Sequence, residues 1–153
     1  MNFSIEVQNE IGLASPAAEK LQQWAEHALV AANAADDSEL TLRIVNAAEM
    51  SDLNLRFRNK AGTTNVLSFP AELPPGLDIP LLGDIAICTA VVETEARDQG
   101  KSLPAHWAHM VVHGILHLLD YDHIEEQDAL IMEALETRIL VDLNFPAPYT
   151  EQD

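Results

Sequence analysis

The chain has 153 residues, 48% of them hydrophobic, and 25 acidic against 8 basic side chains leave a formal net charge of −17. That length and apolar content suit one domain over residues 1–153 with a sizeable core, and the charge argues against broad, non-specific nucleic-acid binding, which depends on phosphate neutralisation. A single cysteine, Cys88, excludes an internal disulfide framework. With no signal-peptide pattern in MNFSIEVQNE and no apolar run near the roughly 20 residues that span a bilayer, the expectation is a cytoplasmic protein with no membrane partner.

FSIEVQ (3–8) alternates apolar and polar residues and is predicted as a strand. Pro16 suits the opening of a helix, where its fixed φ and missing donor cost nothing. Leu21, Trp24, Ala28, Leu29 and Ala32 give that helix one apolar face, with Trp24 in the core. The run NAADDSE ends it, and LTLRIV (40–45) is the next strand. A second helix is predicted from Ala47 to about Lys60, with Met50, Leu53 and Phe57 on its buried side. NVLSF (65–69) is a short strand, and residues 70–80, which hold four of the eight prolines, form a loop. GDIAIC (83–88) is a strand in which Cys88 is a small core residue. Helices follow over 89–99, ending at Gly100, then from about Pro104, and finally from about Glu125 to Leu140. Strands and helices interleave without repeats or a linker. The predicted fold class is α/β (α+β), a single layer sheet of about four strands flanked by helices.

The stretch HGILHLLDYDH (113–123) carries three of the six histidines. His106, His109, His113 and His117 follow at offsets of 3, 4 and 4, close to one stripe of a helix. One helix does not complete a metal site: His109 to His117 spans about 12 Å of axial rise, whereas zinc–nitrogen bonds are about 2.1 Å. An i, i+4 pair such as His113 and His117 converges on one ion. His123 reaches the same ion if the helix breaks near Asp120, since aspartate tolerates left-handed backbone better than most residues. Three imidazoles with an open fourth position are the arrangement of a catalytic zinc. His109 either packs, the favoured reading, or supports the metal ligands from behind, Asp122 either orients a ligand imidazole or serves as a turn residue, and Asp84 is structural.

The spacing matches that of metzincin peptidases, HExxHxxGxxH, but Gly114 stands where they place the general-base glutamate and Asp120 where they place the turn glycine. VHGILHLLDYDH instead resembles the HGxLHLxGYDH signature of the YbeY family, bacterial metal-dependent endoribonucleases of ribosomal RNA maturation. LNLRFRNKAGTTNVLSFP (53–70) is similar to that family's LNxxYRxKDxxTDVLSFP, and LLGDIAI to its LGDIxI strand.

The resemblance implies one Zn2+ ion held by His113, His117 and His123, and an arginine, Arg58, acting on the RNA phosphate; the basic cluster itself offers Lys60 as a further substrate contact. It implies endonucleolytic cleavage of single-stranded RNA during processing of the small-subunit ribosomal RNA 3′ end, and a part in ribosome quality control. Independently of the resemblance, Arg56, Arg58 and Lys60 place three of the eight basic residues within five positions. Arg56 and Lys60 fit a solvated salt-bridge row with Asp52, while Arg58 diverges from that row, and its forked guanidinium suits phosphate. An acidic chain that handles RNA is expected to rely on a basic partner, such as a ribosomal protein or the small subunit. Two further classes stay open: a metal-dependent hydrolase of another substrate, and a non-catalytic ribosome-assembly factor.

Overall fold

Alternating side chains make each strand two-faced, and the two faces are covered by different helices. The structure, a computed structural model, describes residues 2–77, 79–121 and 125–148. Its elements in order are β1 (Ser4–Gln8), α1 (Ala18–Ala31), β2 (Glu39–Val45), α2 (Ala47–Arg58), β3 (Val66–Pro70), β4 (Leu81–Cys88), α3 (Thr89–Gln99), α4 (Leu103–Leu118) and α5 (Glu126–Asp142). The sheet order is β1-β2-β4-β3. β1, β2 and β4 run parallel, and β3 joins β4 antiparallel at one edge. This is the expected α+β layer with four strands; the strand order was not legible in the sequence.

On one face, Leu40, Leu42 and Ile44 of β2 and Ile85 and Ile87 of β4 join one core with α1 and α4, and α5 packs on those two helices. On the other, Val45, Leu67, Ala86 and Cys88 bury against Met50 and Leu53 of α2. Trp24 and Cys88 are core residues, as expected. Helix α1 starts two residues after Pro16, with Ala17 as its N-cap.

Phe57 departs from the expectation. Its spacing from Met50 and Leu53 placed it on the buried side of α2, yet it is 58% exposed. The first two turns of α2 lie over buried sheet residues, whereas the residue beneath the last turn is Phe69, itself only half-buried, and the two rings meet edge-on at 5.2 Å. Periodicity reports which way a side chain points and not whether a partner lies there.

Helix α4 carries the histidines and is the most enclosed element. Ser102 caps it by accepting from the Ala105 N–H at 3.2 Å, with proline in its first turn. It ends at Leu118 in a Schellman arrangement: the Asp120 N–H donates to the His117 carbonyl and the Tyr121 N–H to the Leu116 carbonyl, both at 3.0 Å. Asp120 sits at φ +73°, so the helix breaks where the histidine spacing required it to. Glycine would hold this conformation without Cβ crowding. Asp120→Gly is therefore expected to stabilise the fold by about 0.5 kcal/mol, the relief of left-handed strain less the added entropy of the unfolded chain. A urea midpoint that rises at constant m-value would register it.

Candidate metal centre

The four histidines of α4 form a continuous line of imidazoles. Ring centroids are 6.1 Å apart from His106 to His109, 6.1 Å from His109 to His113, and 4.6 Å from His113 to His117. His106 and His109 are buried, while His113 and His117 are half-buried, so the line opens toward solvent at its C-terminal end.

Carboxylates from two other helices flank the line. Glu95 of α3 lies 2.9 Å from His106 Nε2 and also accepts from Asn65 Nδ2 at 3.0 Å. Glu136 of α5 is completely buried. One of its oxygens is 2.5 Å from His113 Nδ1 and the other 3.6 Å from His109 Nε2. Burial alone would push the Glu136 carboxyl up, but the hydrogen bonds from His109 and His113 and their charges outweigh it and hold it at about 2. Glu136 is thus an anion inside the core, tolerated because the His113 ring bonds to it and the His109 ring faces it at 3.6 Å. Burial lowers the His106 pKa against the opposing bond to Glu95, and burial likewise lowers that of Lys101, whose ammonium Glu95 and Glu136 partly compensate. A cleft of about 340 Å3 lies along this row, lined by Asn65, Glu95, Lys101, His106, His109 and His113 among others.

The donors suit a metal ion. His109, His113 and Glu136 offer ligand atoms that all lie within 4.8 Å of one another and could hold one. A second set is formed by ring nitrogens alone. His113 Nε2 and His117 Nε2 stand 3.2 Å apart, close to the roughly 3.4 Å that separates two nitrogens bound to one tetrahedral zinc at about 2.1 Å each. The carboxylate at His113 Nδ1 favours a proton there, which turns a lone pair outward at Nε2. This is the carboxylate–histidine arrangement that orients metal-ligating imidazoles.

The structure brings His113 and His117 together; His123 and Asp122 lie outside the described residues. His109, expected to pack, is buried and also belongs to the carboxylate group. Arg58 is exposed at the C-terminal end of α2, and among the described residues no hydrogen bond or ion pair joins it to the histidines. The sheet lies between α2 and α4, so Arg58 and the imidazoles occupy elements on opposite faces. Arg56 pairs with Asp52 at 3.2 Å, as the salt-bridge row implies, whereas Arg58 and Lys60 make no ion pair among the described residues. Sequence reasoning missed Glu136. Its signal was a charged residue in the apolar stripe Met132, Glu136, Ile139, Leu140, whose members are all buried.

Gly114 shows why this helix lacks the peptidase glutamate. A Cβ built there would lie 2.8 Å from Ile85 Cγ2 of β4, and the Gly114 carbonyl accepts from Ser68 Oγ of β3 at 3.0 Å. α4 rests directly on the sheet at this point, leaving no room for a longer side chain. Glu136 is no substitute, because it is sealed from solvent.

What the fold and site define first is a class: an α+β protein with a single mixed sheet and a buried histidine–carboxylate group that could hold a metal ion. The chain belongs to the endoribonuclease YbeY family, whose sequence model matches residues 5–144. It is 57% identical over 139 residues to the endoribonuclease YbeY of Stutzerimonas stutzeri, covering 90% of this chain and 86% of that protein. It is 52% identical over 152 residues to that of Pseudomonas putida strain KT2440, covering 99% and 96%. The solution structure of a Thermotoga maritima protein shares the fold, with a TM-score of 0.62 at 24% identity over 97% of each chain. No helix among the described residues is long and apolar enough to cross a membrane.

Proposed function

We infer that this chain is a metal-dependent endoribonuclease that cleaves single-stranded RNA in the maturation of the small-subunit ribosomal RNA 3′ end, working as one cytoplasmic domain over residues 1–153. The observation that carries the reading is the His113–His117 pair, backed by Glu136, in a chain whose relatives are named endoribonucleases. We assign His113, His117 and His123 as ligands of one zinc ion. When bound, such an ion supplies Lewis acidity, polarising a phosphodiester oxygen and acidifying water toward a pKa of about 7.

The protein's own groups have separate tasks. Glu136 fixes the ring plane and tautomer of His113. The left-handed turn at Asp120 ends α4 and redirects the chain that leads to His123. Arg58, without an ionic partner among the described residues, grips a substrate phosphate through paired N–H donors, positioning the RNA rather than touching the bond that is cut. Lys60 adds a second cation. The Asn54 amide ties its loop to α2 by donating to the Gly62 carbonyl at 3.0 Å. Because the chain carries −17 overall, a basic partner, a ribosomal protein or the small subunit itself, delivers the RNA.

The test uses a precursor of the small-subunit RNA 3′ end. Zinc-loaded protein is expected to cleave it, chelator-stripped protein is not, and restored zinc recovers the activity. A His117→Ala preparation purified in parallel controls for contaminating nuclease and should stay inert. Equal cleavage by that variant, or none by the zinc-loaded protein, overturns the assignment.

A further inference from the structure

Among the described residues Phe57 is the most exposed phenylalanine, tyrosine or tryptophan, at 58%, the others being buried or half-buried. Although exposed, the side chain is held in place. Its ring meets Phe69 edge-on at 5.2 Å with 68° between planes. The Arg56 guanidinium stands 5.3 Å from its centroid and is itself anchored by Asp52 at 3.2 Å. Arg58 and Lys60 follow within three positions, so the exposed ring sits inside the cluster that holds three of the eight basic residues of the chain.

Those components have a chemical logic. A protein of net charge −17 gains little from long-range attraction to a polyanion and must hold it through short-range contacts. Stacking of a nucleobase on an aromatic ring is such a contact: it depends little on salt, tolerates any base, and requires unpaired bases. A ring beside a guanidinium, with further cations next in the chain, serves base and phosphate together.

We propose that Phe57 is a stacking platform for single-stranded RNA, seating one nucleobase against its exposed face while Arg58 and Lys60 hold the neighbouring phosphates. The proposal rests on the endoribonuclease reading and supplies its means of selecting single strands. Phe57 touches substrate as a binding residue and takes no part in bond cleavage. RNA seated there lies on the α2 side of the sheet and reaches the histidines around the edge formed by β3.

Phe57→Trp makes the contact visible. Trp24 and Trp107 are 5% and 1% exposed, so a solvent-exposed indole at position 57 emits separately at longer wavelength. A single-stranded oligoribonucleotide is expected to quench that emission, while inorganic polyphosphate, a polyanion without bases, is not. Phe57→Leu, which keeps an apolar side chain, is expected to weaken oligoribonucleotide binding five- to tenfold, the lower part of the range for base stacking, and to raise KM with kcat retained. Equal quenching by polyphosphate, or unchanged binding and KM in Phe57→Leu, overturns the platform. The two readings separate cleanly. Cleavage by wild type with an unchanged KM in Phe57→Leu removes the platform and leaves the nuclease, whereas base-dependent quenching without cleavage by wild type does the reverse.

Discussion

Glu136→Gln is expected to lower zinc affinity by about ten- to a hundredfold, the usual cost of removing a group that orients a metal-ligating histidine. The carboxylate presents acceptors to two rings, 2.5 Å from His113 Nδ1 and 3.6 Å from His109 Nε2. An amide of the same shape has one acceptor and one donor group, so one ring must reverse its tautomer or lose its bond. If His113 reverses, its proton moves to Nε2 and blocks the nitrogen that faces His117. Competition against a chromophoric chelator, with circular dichroism to confirm the fold, measures the effect. Glu136→Leu removes both acceptors and leaves buried N–H groups, at about 1–3 kcal/mol each; we expect about 2–5 kcal/mol off the unfolding free energy. Zinc affinity in Glu136→Gln equal to wild type would mean that the carboxylate only fills the core.

Gly83→Ala is expected to cost about 3–5 kcal/mol, a large share of the 5–15 kcal/mol that stabilises a typical domain. Gly83 lies in β4 opposite Pro70 at φ +137°, a conformation that side chains rarely adopt. A Cβ there would stand 2.2 Å from the Phe69 carbonyl oxygen and 2.9 Å from the Ala71 nitrogen. Both are backbone atoms, and the Ala71 N–H is already committed to the Leu82 carbonyl at 2.9 Å. No rotamer change relieves the clash, so β3 must shift or peel from the sheet. Urea unfolding would report the loss, and amide exchange should rise first at Phe69 and Ala71. A loss below about 1 kcal/mol would show that the edge strand adjusts freely.

What was legible in the sequence was whatever is encoded by local period or short spacing. The i, i+4 pair at His113 and His117 follows from helical geometry, and the break at Asp120 from the need to bend the chain behind it. The glycine at 114, read as a missing general base, proved to mark the contact with Ile85. What escaped was set by packing between distant segments. Glu136 lies 23 residues from His113 and meets it because α5 packs on α4. Phe57 repeats correctly with Met50 and Leu53, but only the tertiary arrangement reveals that its neighbour is another half-exposed ring. The strand order, with β4 inserted between β2 and β3, follows from pairing across the chain and left no mark on any one segment.

The antiparallel edge strand has a role that its five residues do not advertise. Ser68 points to one side of the sheet and fastens the carbonyl of Gly114, while Phe69, the next residue, points to the other and supports Phe57. One pleat therefore sets the spacing between the imidazole helix and the helix that carries Phe57 and Arg58, much as adjacent marks on a ruler set a distance. A slip of one residue along β4 would exchange those two side chains between faces, detaching both helices from their anchor at once. Length variation in the segment between Asn59 and Val66 is consequently tolerable only if the strand re-enters in the same phase. The working distance of any RNA-cutting cleft in this fold is in that sense written into the parity of a single strand.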